Sequence, residues 1–350
     1  INRNKYKAPP GRGERKGETM LTKKQNFLET IRGGNPDRYV NQFEAFAMIM
    51  ANPYIRDNPA PRQPGMLNVV NAWGVTRSWP EGTPGPFPVH DEEHIVIKDI
   101  ENWRDYVKEP NVIYPAEEWE PFVRETEKID RSEYLATAYI VPGIFEQCHY
   151  LMEIANCLAN LYEYPDEMHE VIDMITEWEL RYAAEIFKYM KPDAVFHHDD
   201  WGSQTSTFMS PEMFREFFVP AYKKVYGYYK SQGAVIIHHS DSYAATLVPD
   251  MIDIGIDVWQ GVMRSNDIPA LLREYGGKIS FMGGIDNADI DHHGWTREEV
   301  RAAARRAVKD GSRLWFIPSQ TAGGPGSVFP GVYEALTEEI DEINRELFGI

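Results

Sequence analysis

The sequence is poor in cysteine, in net positive charge and in long apolar runs. Cys148 and Cys157 are the two cysteines among 350 residues, which excludes a disulfide framework and makes the reducing cytoplasm the expected compartment. The net charge of −18 argues against nucleic acid or an anionic membrane as partner, because binding to phosphates depends on lysine and arginine. No apolar run approaches the roughly eighteen residues of a membrane-spanning helix, so we expect a soluble protein.

A glycine-rich dinucleotide motif is also missing. No Gly-x-Gly-x-x-Gly follows an early strand, and the stretch Gly323–Gly326 comes too late and has a different spacing. This absence removes the main support for a Rossmann fold. Strand and helix patterns instead alternate through at least five consecutive units, which predicts a parallel sheet covered by helices. Length and repetition favour an α/β fold of the (β/α)8 TIM-barrel type.

Residues 1–19 differ in composition from the rest of the chain. They combine six basic residues with proline and glycine, and Met20 follows them. We interpret residues 1–19 as a flexible arm or a non-native leader, with a functional basic tail as the alternative. Residues 20–350 are predicted to form a single barrel domain.

Two strand patterns in the second half end in paired histidines. Ala194–His198 is followed by two aspartates, and Val235–His239 is followed by Ser240 and Asp241. An apolar segment that ends abruptly in polar residues is typical of a buried parallel strand reaching the mouth of a barrel. Working residues of such barrels lie at the carboxyl ends of the strands, so both ends are expected to meet at one site.

Polar and aromatic residues at the predicted strand ends define the candidate site. Side chains two apart on a strand point the same way, so His239 could share a ligand with Asp241, and His197 with Asp199. Histidine beside carboxylate either binds a divalent metal or acts as an acid–base pair, and both interpretations are open. The strand-end residues are Asn71, Trp73, His197, His198, Asp199, Asp200, Trp201, His238, His239, Asp241, Gln260, Gly283, Gly284, Asp286, Ser319 and Gln320.

A long loop in the first half adds aromatic residues to this picture. Residues 79–90 contain four prolines together with Trp79, Phe87 and His90. Loops of this length in compact domains are usually functional. The loop is expected to form one wall of a pocket, although simple packing over the barrel end explains it equally well.

Several of these segments resemble the uroporphyrinogen decarboxylase superfamily. Asp200-Trp-Gly-Ser followed by Ser210-Pro-Glu-Met-Phe-Arg-Glu-Phe-Phe-Val-Pro-Ala-Tyr-Lys-Lys is similar to the superfamily's link between an aspartate-bearing strand and its helix. Phe27-Leu-Glu-Thr-Ile-Arg-Gly-Gly-Asn-Pro-Asp-Arg38 resembles the opening of its cobamide-dependent methyltransferase branch, and so does the block that begins at Trp73-Gly-Val and ends at Gly85-Pro-Phe-Pro-Val-His90. The resemblance implies a (β/α)8 barrel over nearly everything after Met20.

The resemblance supports methyl transfer better than decarboxylation. True decarboxylases of the family carry an Arg-Gln-Ala-Gly-Arg signature that holds substrate carboxylates, whereas this chain has Asn41-Gln-Phe-Glu-Ala-Phe46 there. A pocket rich in Asp200, Asp241 and Asp286 would also repel a tetrapyrrole with many carboxylates. A decarboxylase of porphyrin biosynthesis and a non-catalytic tetrapyrrole- or corrinoid-binding protein remain the alternatives.

The methyltransferase branch suggests which residues act and how. Its thiol-methylating members resemble one another in a zinc site with His-x-Cys, but this chain has His239-Ser240-Asp241, which favours cleavage of a methyl ether through carboxylate and histidine ligands. The candidate metal, if one is bound, is zinc. The expected metal ligands are His239, Asp241 and Asp199, and the expected catalytic residues are His239, Asp241, Asp200 and His197. The expected substrate-binding residues are Asn71, Trp73, Phe87, His90, Trp201, Gln260 and Gln320.

The resemblance also implies a partner protein. No corrinoid-binding Asp-x-His-x-x-Gly occurs in the chain, so the corrinoid would arrive on a separate corrinoid protein. The predicted reaction takes a methyl group from a small O-methyl donor, with an aromatic methyl ether as the candidate, and passes it to that corrinoid. A homodimer is compatible with the sequence, which does not name the donor or the oligomeric state.

Overall fold

Strands alternate with helices along most of the chain. The computed structural model describes residues 20–350. Its strands, in chain order, are β1 (Phe46–Ile49), β2 (Val69–Val70), β3 (Thr76–Ser78), β4 (Phe87–Pro88), β5 (Leu135–Ile140), β6 (Ala194–His198), β7 (Val235–His239), β8 (Val258–Val262), β9 (Ser280–Ile285) and β10 (Phe316–Gln320).

The helices cover the outside of the sheet. They are α1 (Lys23–Ile31), α2 (Pro53–Asp57), α3 (Ala116–Thr126), α4 (Ile144–Met152), α5 (Ile154–Glu163), α6 (Pro165–Met190), α7 (Pro211–Phe217), α8 (Val219–Ser231), α9 (Val248–Asp253), α10 (Ile268–Tyr275), α11 (Asn287–Ile290), α12 (Arg297–Asp310) and α13 (Val332–Phe348). Short 3-10 helices span Ile100–Asp105, Ala245–Leu247 and Arg264–Asn266. Thr22 with Gln25 and Thr296 with Glu299 have the sequence pattern of a capping box, and these two boxes begin α1 and α12.

Seven parallel strands form the central sheet in the order β1, β5, β6, β7, β8, β9, β10. One buried apolar cluster takes residues from all seven, including Phe46 of β1 and Ile317 of β10 at the two edges. The two edge strands can share one interior only if the sheet curls back on itself. The predicted TIM-type barrel is therefore confirmed. β2, β3 and β4 form a separate antiparallel sheet, called the small sheet below.

Side chains seal the seam between β10 and β1, which are not paired in a strand ladder. Asn41 Nδ2 donates to the Thr337 carbonyl of α13 at 2.9 Å, and the Tyr39 backbone N–H donates to Asn344 Oδ1 at 2.9 Å. Gln42 Nε2 donates to Thr337 Oγ1 at 2.9 Å. The last helix thus fastens the start of the barrel to its end.

Two strand predictions in the first half are wrong. The sequence pattern of residues 38–43 predicts the first strand there, but this strand begins at Phe46, because the backbone and side chains around Asn41 are bonded to α13. The pattern of residues 67–74 predicts another strand, but only Val69–Val70 is a strand, and it belongs to the small sheet outside the barrel. The pattern after Gly143 predicts one helix to about Leu161, but the helix breaks at Glu153, whose φ of 71° ends α4 and whose carboxylate caps α5.

The predicted arm at residues 1–19 lies outside the described residues. No helix between residues 20 and 350 is both long enough and apolar enough to cross a membrane.

Candidate active site

The alternation of side chains along β6 and β7 decides which histidines face the barrel interior. Phe196 and Ile237 belong to the interior cluster. Side chains two residues apart share a face, so His198 and His239 point inward at the carboxyl end. Their neighbours His197 and His238 point outward into the helix layer.

Three inward side chains converge at the mouth of the barrel. His198, Asp200 and His239 each offer a ligand atom, and these atoms all lie within 4.8 Å of one another. The two imidazole centroids are 4.3 Å apart, and His239 Nε2 lies 3.8 Å from Asp200 Oδ1. The side chain of His239 is buried, whereas those of His198 and Asp200 are partly exposed. A cation or ligand can therefore reach the group from the mouth.

Gln260 of β8 fixes the tautomer of His239. Its Oε1 lies 2.5 Å from His239 Nδ1, and its Nε2 faces three backbone carbonyl oxygens, those of residues 320, 321 and 322, at 3.1 to 3.5 Å. An amide nitrogen only donates, so these carbonyls set the orientation of the amide. Nδ1 of His239 must then carry the hydrogen, which leaves the lone pair of Nε2 facing the cluster.

Glu146 of α4 holds the imidazole of His198 in its orientation. One carboxylate oxygen lies 3.0 Å from His198 Nδ1, the carboxylate–histidine arrangement that orients many metal-binding imidazoles. Burial opposes a charge on His198, but the neighbouring carboxylate of Glu146 outweighs it and raises the pKa of His198. The pKa of His239 falls to about 4 through burial and the charge on His198. Each imidazole thus presents Nε2 to the cluster.

Gly323 leaves space directly above the two imidazoles. A Cβ added at Gly323 would lie 2.9 Å from His198 Nε2 and 3.0 Å from His239 Nε2. Such a Cβ would occupy the space that both Nε2 atoms face. Only glycine keeps this space open for a ligand.

The donor set fits a divalent transition metal. Two imidazole nitrogens and one carboxylate, each histidine held by a further hydrogen bond, are the ligands that zinc takes in catalytic sites, where a fourth position stays open. His198, whose pKa is raised, would release its Nε2 proton when such an ion binds. His198, His239 and Asp200 would hold such an ion. Of the metal ligands predicted from the sequence, the structure brings His239 to this group.

Asp199 and His197 form hydrogen bonds with the surrounding helices instead. The Asp199 carboxylate accepts the backbone N–H groups of Phe145 at 3.0 Å and Glu146 at 2.8 Å, and also the Tyr222 hydroxyl. It therefore caps the first turn of α4, and burial together with Glu146 raises its pKa to about 7. His197 Nε2 lies 2.7 Å from Glu179 Oε1 on α6. Neither side chain reaches the cluster, because both point outward from β6.

Asp241 lies beside the cluster without joining it. Its backbone N–H donates to Asp200 Oδ1 at 2.9 Å, and its side chain keeps contact with solvent inside the mouth. Surrounding protein and the carboxylate of Asp200 raise its pKa to about 8. A carboxyl group in this setting can carry a proton near neutral pH.

The predicted substrate-binding residues have diverse positions, and Gln260 is the one that contacts the cluster. Asn71 caps its own turn by accepting the Trp73 and Val75 backbone N–H groups at 2.9 and 3.0 Å. Trp73 and Trp201 are buried in the helix layer, against Trp178 and His238 respectively. Gln320 Nε2 donates to carbonyls of the following glycine loop. Phe87 and His90 lie on or next to β4 of the small sheet.

His198 was among the predicted strand-end residues but had no predicted role, and Glu146 and Tyr139 were not predicted at the site. Tyr139 of β5 stacks on Phe196 at a centroid distance of 5.5 Å and lies 6.5 Å from the His198 ring. The two-residue alternation, which puts His198 on the same face as Asp200, is the sequence pattern that could have identified His198. No sequence motif marks Glu146, since it reaches the site from a helix fifty residues earlier.

A cavity of about 330 Å³ opens at the opposite end of the barrel. Its lining includes Val235 and Ile279, at the start of β7 and just before β9, and the basic side chains of Arg32, Lys230 and Lys278. Catalytic groups of TIM barrels lie at the other end, so the mouth cluster and not this cavity is the candidate active site.

Comparison with known proteins agrees with this architecture. A methyltransferase from Methanosarcina mazei is 18% identical in sequence, with a TM-score of 0.64 over 92% of this chain and 99% of that chain; this likeness shows a shared fold. A sugar phosphate isomerase/epimerase from Parabacteroides distasonis is 8% identical, with a TM-score of 0.31 over 64% of this chain and 76% of that one, too low to support an argument. No curated protein matches the sequence significantly. The model of the uroporphyrinogen decarboxylase (URO-D) family matches residues 64–343, and the chain belongs to this family.

Proposed function

We propose that this protein is a methyltransferase that takes a methyl group from a small O-methyl donor and passes it to a corrinoid on a separate protein. The observation that carries the proposal is the convergence of His198, Asp200 and His239 with both Nε2 atoms turned to one point. The fold shared with a methyltransferase from Methanosarcina mazei is compatible with it. An aromatic methyl ether is the candidate donor.

The three residues would hold zinc. Zinc bound there supplies a Lewis acid for the ether oxygen, which makes that oxygen a better leaving group. Gln260 and Glu146 keep the imidazoles oriented for this purpose. In the reaction the bond between the methyl carbon and oxygen breaks, the methyl group goes to the reduced corrinoid, and the released oxygen takes up a proton.

Two features of the mouth support this chemistry. Asp241 lies next to Asp200, and its carboxyl group would donate the proton that the released oxygen takes up. Tyr139, stacked on Phe196 beside His198, provides an aromatic wall against which a phenyl ring can pack. The corrinoid itself comes on a partner, because the sequence has no Asp-x-His-x-x-Gly motif.

The test is methyl transfer to free cob(I)alamin from a panel of methoxylated phenols and benzoates. We expect methylcobalamin to form with zinc-loaded protein, and its rate to fall at least about 100-fold in His239→Ala, since removal of a metal ligand removes the activating ion. His94→Ala, on an exposed turn with Asp91, is the matched control. Absence of methylcobalamin across the whole panel would contradict the proposal.

Membership of the URO-D family keeps decarboxylation as the second candidate. Asn41 and Gln42, in the segment where family decarboxylases carry arginines, are bonded to α13 and offer no positive charge for substrate carboxylates. Formation of coproporphyrinogen from uroporphyrinogen would decide in favour of this candidate. Tight binding of cobalamin without any turnover would instead favour a non-catalytic carrier.

A further inference from the structure

One face of the small sheet packs against α4 and carries Arg77. The register pairs Arg77 of β3 with Pro88 of β4, and the Val89 backbone N–H donates to the Thr76 carbonyl, so the pairing continues towards His90. Alternation therefore puts Val75, Arg77 and His90 on one face. Val75 is buried, with 2% of its surface exposed, which identifies this face as the inner one.

The interface between this face and α4 contains polar nitrogens without partners. Arg77 Nε, His90 Nε2 and His149 Nδ1 are buried and have no hydrogen-bond partner among the described residues. The His90 and His149 rings lie edge to face at a centroid distance of 6.3 Å. A buried donor or acceptor without a partner is unfavourable by about 1–3 kcal/mol, so the grouping of three such atoms at one interface indicates a place that a polar ligand completes.

Arg77 supplies the positive charge at this interface. Its Nη2 donates to the Pro86 carbonyl at 2.9 Å, and its guanidinium lies over the Tyr150 ring at 5.6 Å. No carboxylate of residues 20–350 lies within 4.0 Å of it. The two histidines beside it have pKa values lowered by burial, that of His149 to about 4, and add no charge at neutral pH.

The guanidinium and the histidine–aspartate cluster are linked through one face of α4. Tyr150, under Arg77, is four residues after Glu146, and residues four apart are neighbours on a helix surface, about 5–6 Å between Cβ atoms. Glu146 in turn contacts His198 at 3.0 Å. Burial raises the pKa of Glu146, and the charge of His198 and, less strongly, that of Arg77 oppose this rise. Arg77 therefore lies near enough to Glu146 for the two charges to interact.

We propose that Arg77 binds a carboxylate of the methyl donor, so that the substrate class is an O-methyl ether bearing one carboxylate, such as a methoxybenzoate. This proposal rests on the proposed methyl transfer. A guanidinium pairs with a carboxylate through parallel N–H donors, and its unpartnered Nε is available for this. A single arginine opposite Glu146, Asp200 and Asp241 selects a donor with one negative charge, since further carboxylates would meet repulsion.

The test compares 4-methoxybenzoate with the neutral, nearly isosteric 4-methoxybenzamide, by calorimetric binding to the zinc-loaded protein without corrinoid. We expect the wild type to bind the benzoate about 10-fold more tightly than the amide, which is the gain in affinity that one charge-assisted hydrogen bond provides. Arg77→Gln should abolish this preference, and Arg77→Lys should restore part of it. Arg62→Gln, an exposed arginine that donates to the Ile55 carbonyl, is the matched control.

Three results would overturn the proposal. The first is a wild type that binds both ligands equally or does not bind the benzoate. The second is an Arg77→Gln variant that keeps the preference. The third is an Arg77→Gln variant that binds both ligands more weakly by the same factor and has a lower melting temperature. This result would mean that Arg77 only holds the small sheet on Tyr150. Benzoate binding through Arg77 without methyl transfer would contradict the proposed function alone.

Discussion

Nδ1 of His239 lies 2.5 Å from Oε1 of Gln260, and this contact decides which imidazole nitrogen is free for a cation. The hydrogen stays on Nδ1 as long as an acceptor stands at position 260. Without that acceptor the tautomer and the ring orientation are no longer set, and second-shell losses of this kind usually weaken metal binding 10- to 100-fold. The amide of Gln260 is therefore part of the zinc site that we propose.

We expect Gln260→Leu to weaken zinc binding about 10- to 100-fold, measured by competition with a chromogenic chelator. Gln260→Glu keeps the acceptor while losing the donors to the loop carbonyls, and it should stay within a few-fold of the wild type. An equal loss of zinc affinity in both variants would show that zinc binding depends on the contacts of residue 260 with the loop carbonyls and not on the acceptor for His239.

Asp199 and Asp200 are adjacent but should respond to substitution in opposite ways. Asp199→Asn removes an acceptor from the first turn of α4, so we expect the free energy of unfolding to fall by about 1–3 kcal/mol with zinc still bound. Asp200→Asn removes a proposed ligand, so we expect zinc loss with little change in stability. Denaturant titration and metal analysis of both variants check this pair, and a reversed pattern would contradict the assignment of the site.

Gly323→Ala should exclude a metal without unfolding the protein. The added methyl group would lie 2.9 and 3.0 Å from the two Nε2 atoms, in the space that a bound ion needs. We expect zinc affinity to fall at least about 10-fold, as for a disturbed ligand sphere, with an unchanged melting temperature. Gly324→Ala is the control, because a Cβ there meets nothing within 4 Å. Full zinc binding by Gly323→Ala would argue against an ion at this place.

Stability should fall on acidification in part because of His149. Burial, followed by the charge on His90, lowers the pKa of His149 from 6.5 to about 4 in the folded protein. Between these values the unfolded chain binds more protons, so the free energy of unfolding falls as the pH falls from about 6.5 to 4, by at most roughly 3 to 4 kcal/mol for one such group.

His149→Gln should therefore flatten this part of the pH dependence, as measured by urea unfolding at pH 7 and pH 5. His293→Gln, at an exposed position, is the control and should keep the wild-type slope. An unchanged slope in His149→Gln would show that the acid sensitivity comes from other groups.

The sequence predicted the strands of the second half well but not the faces of their histidines. Ala194, Val195 and Phe196 are all buried, because a strand in a parallel barrel packs on both sides. Such a strand shows no apolar alternation, so its sequence does not tell which face is inside. For this reason Asp199 was predicted as a ligand, whereas Asp200 is the aspartate that lies beside His198 and His239.

The sequence patterns did not predict contacts between segments that are distant along the chain. Glu146 enters the site because α4 begins just after β5, next to the end of β6, and no spacing rule connects it to His198. Residues 38–43 were predicted as a strand from their composition, whereas their backbone and amide side chains bond to α13. In both cases tertiary hydrogen bonds override the local pattern.

The side-chain seam between β10 and β1 has a consequence for the order of folding. Its hydrogen bonds join residues 296 and 305 positions apart, among the longest loops that the chain can close. Loop closure grows more costly in entropy with length, so contacts between neighbouring strands and helices should form first. Closure of the barrel then becomes a late event that requires α13, and the interior holding His198 and His239 is completed only when that helix docks.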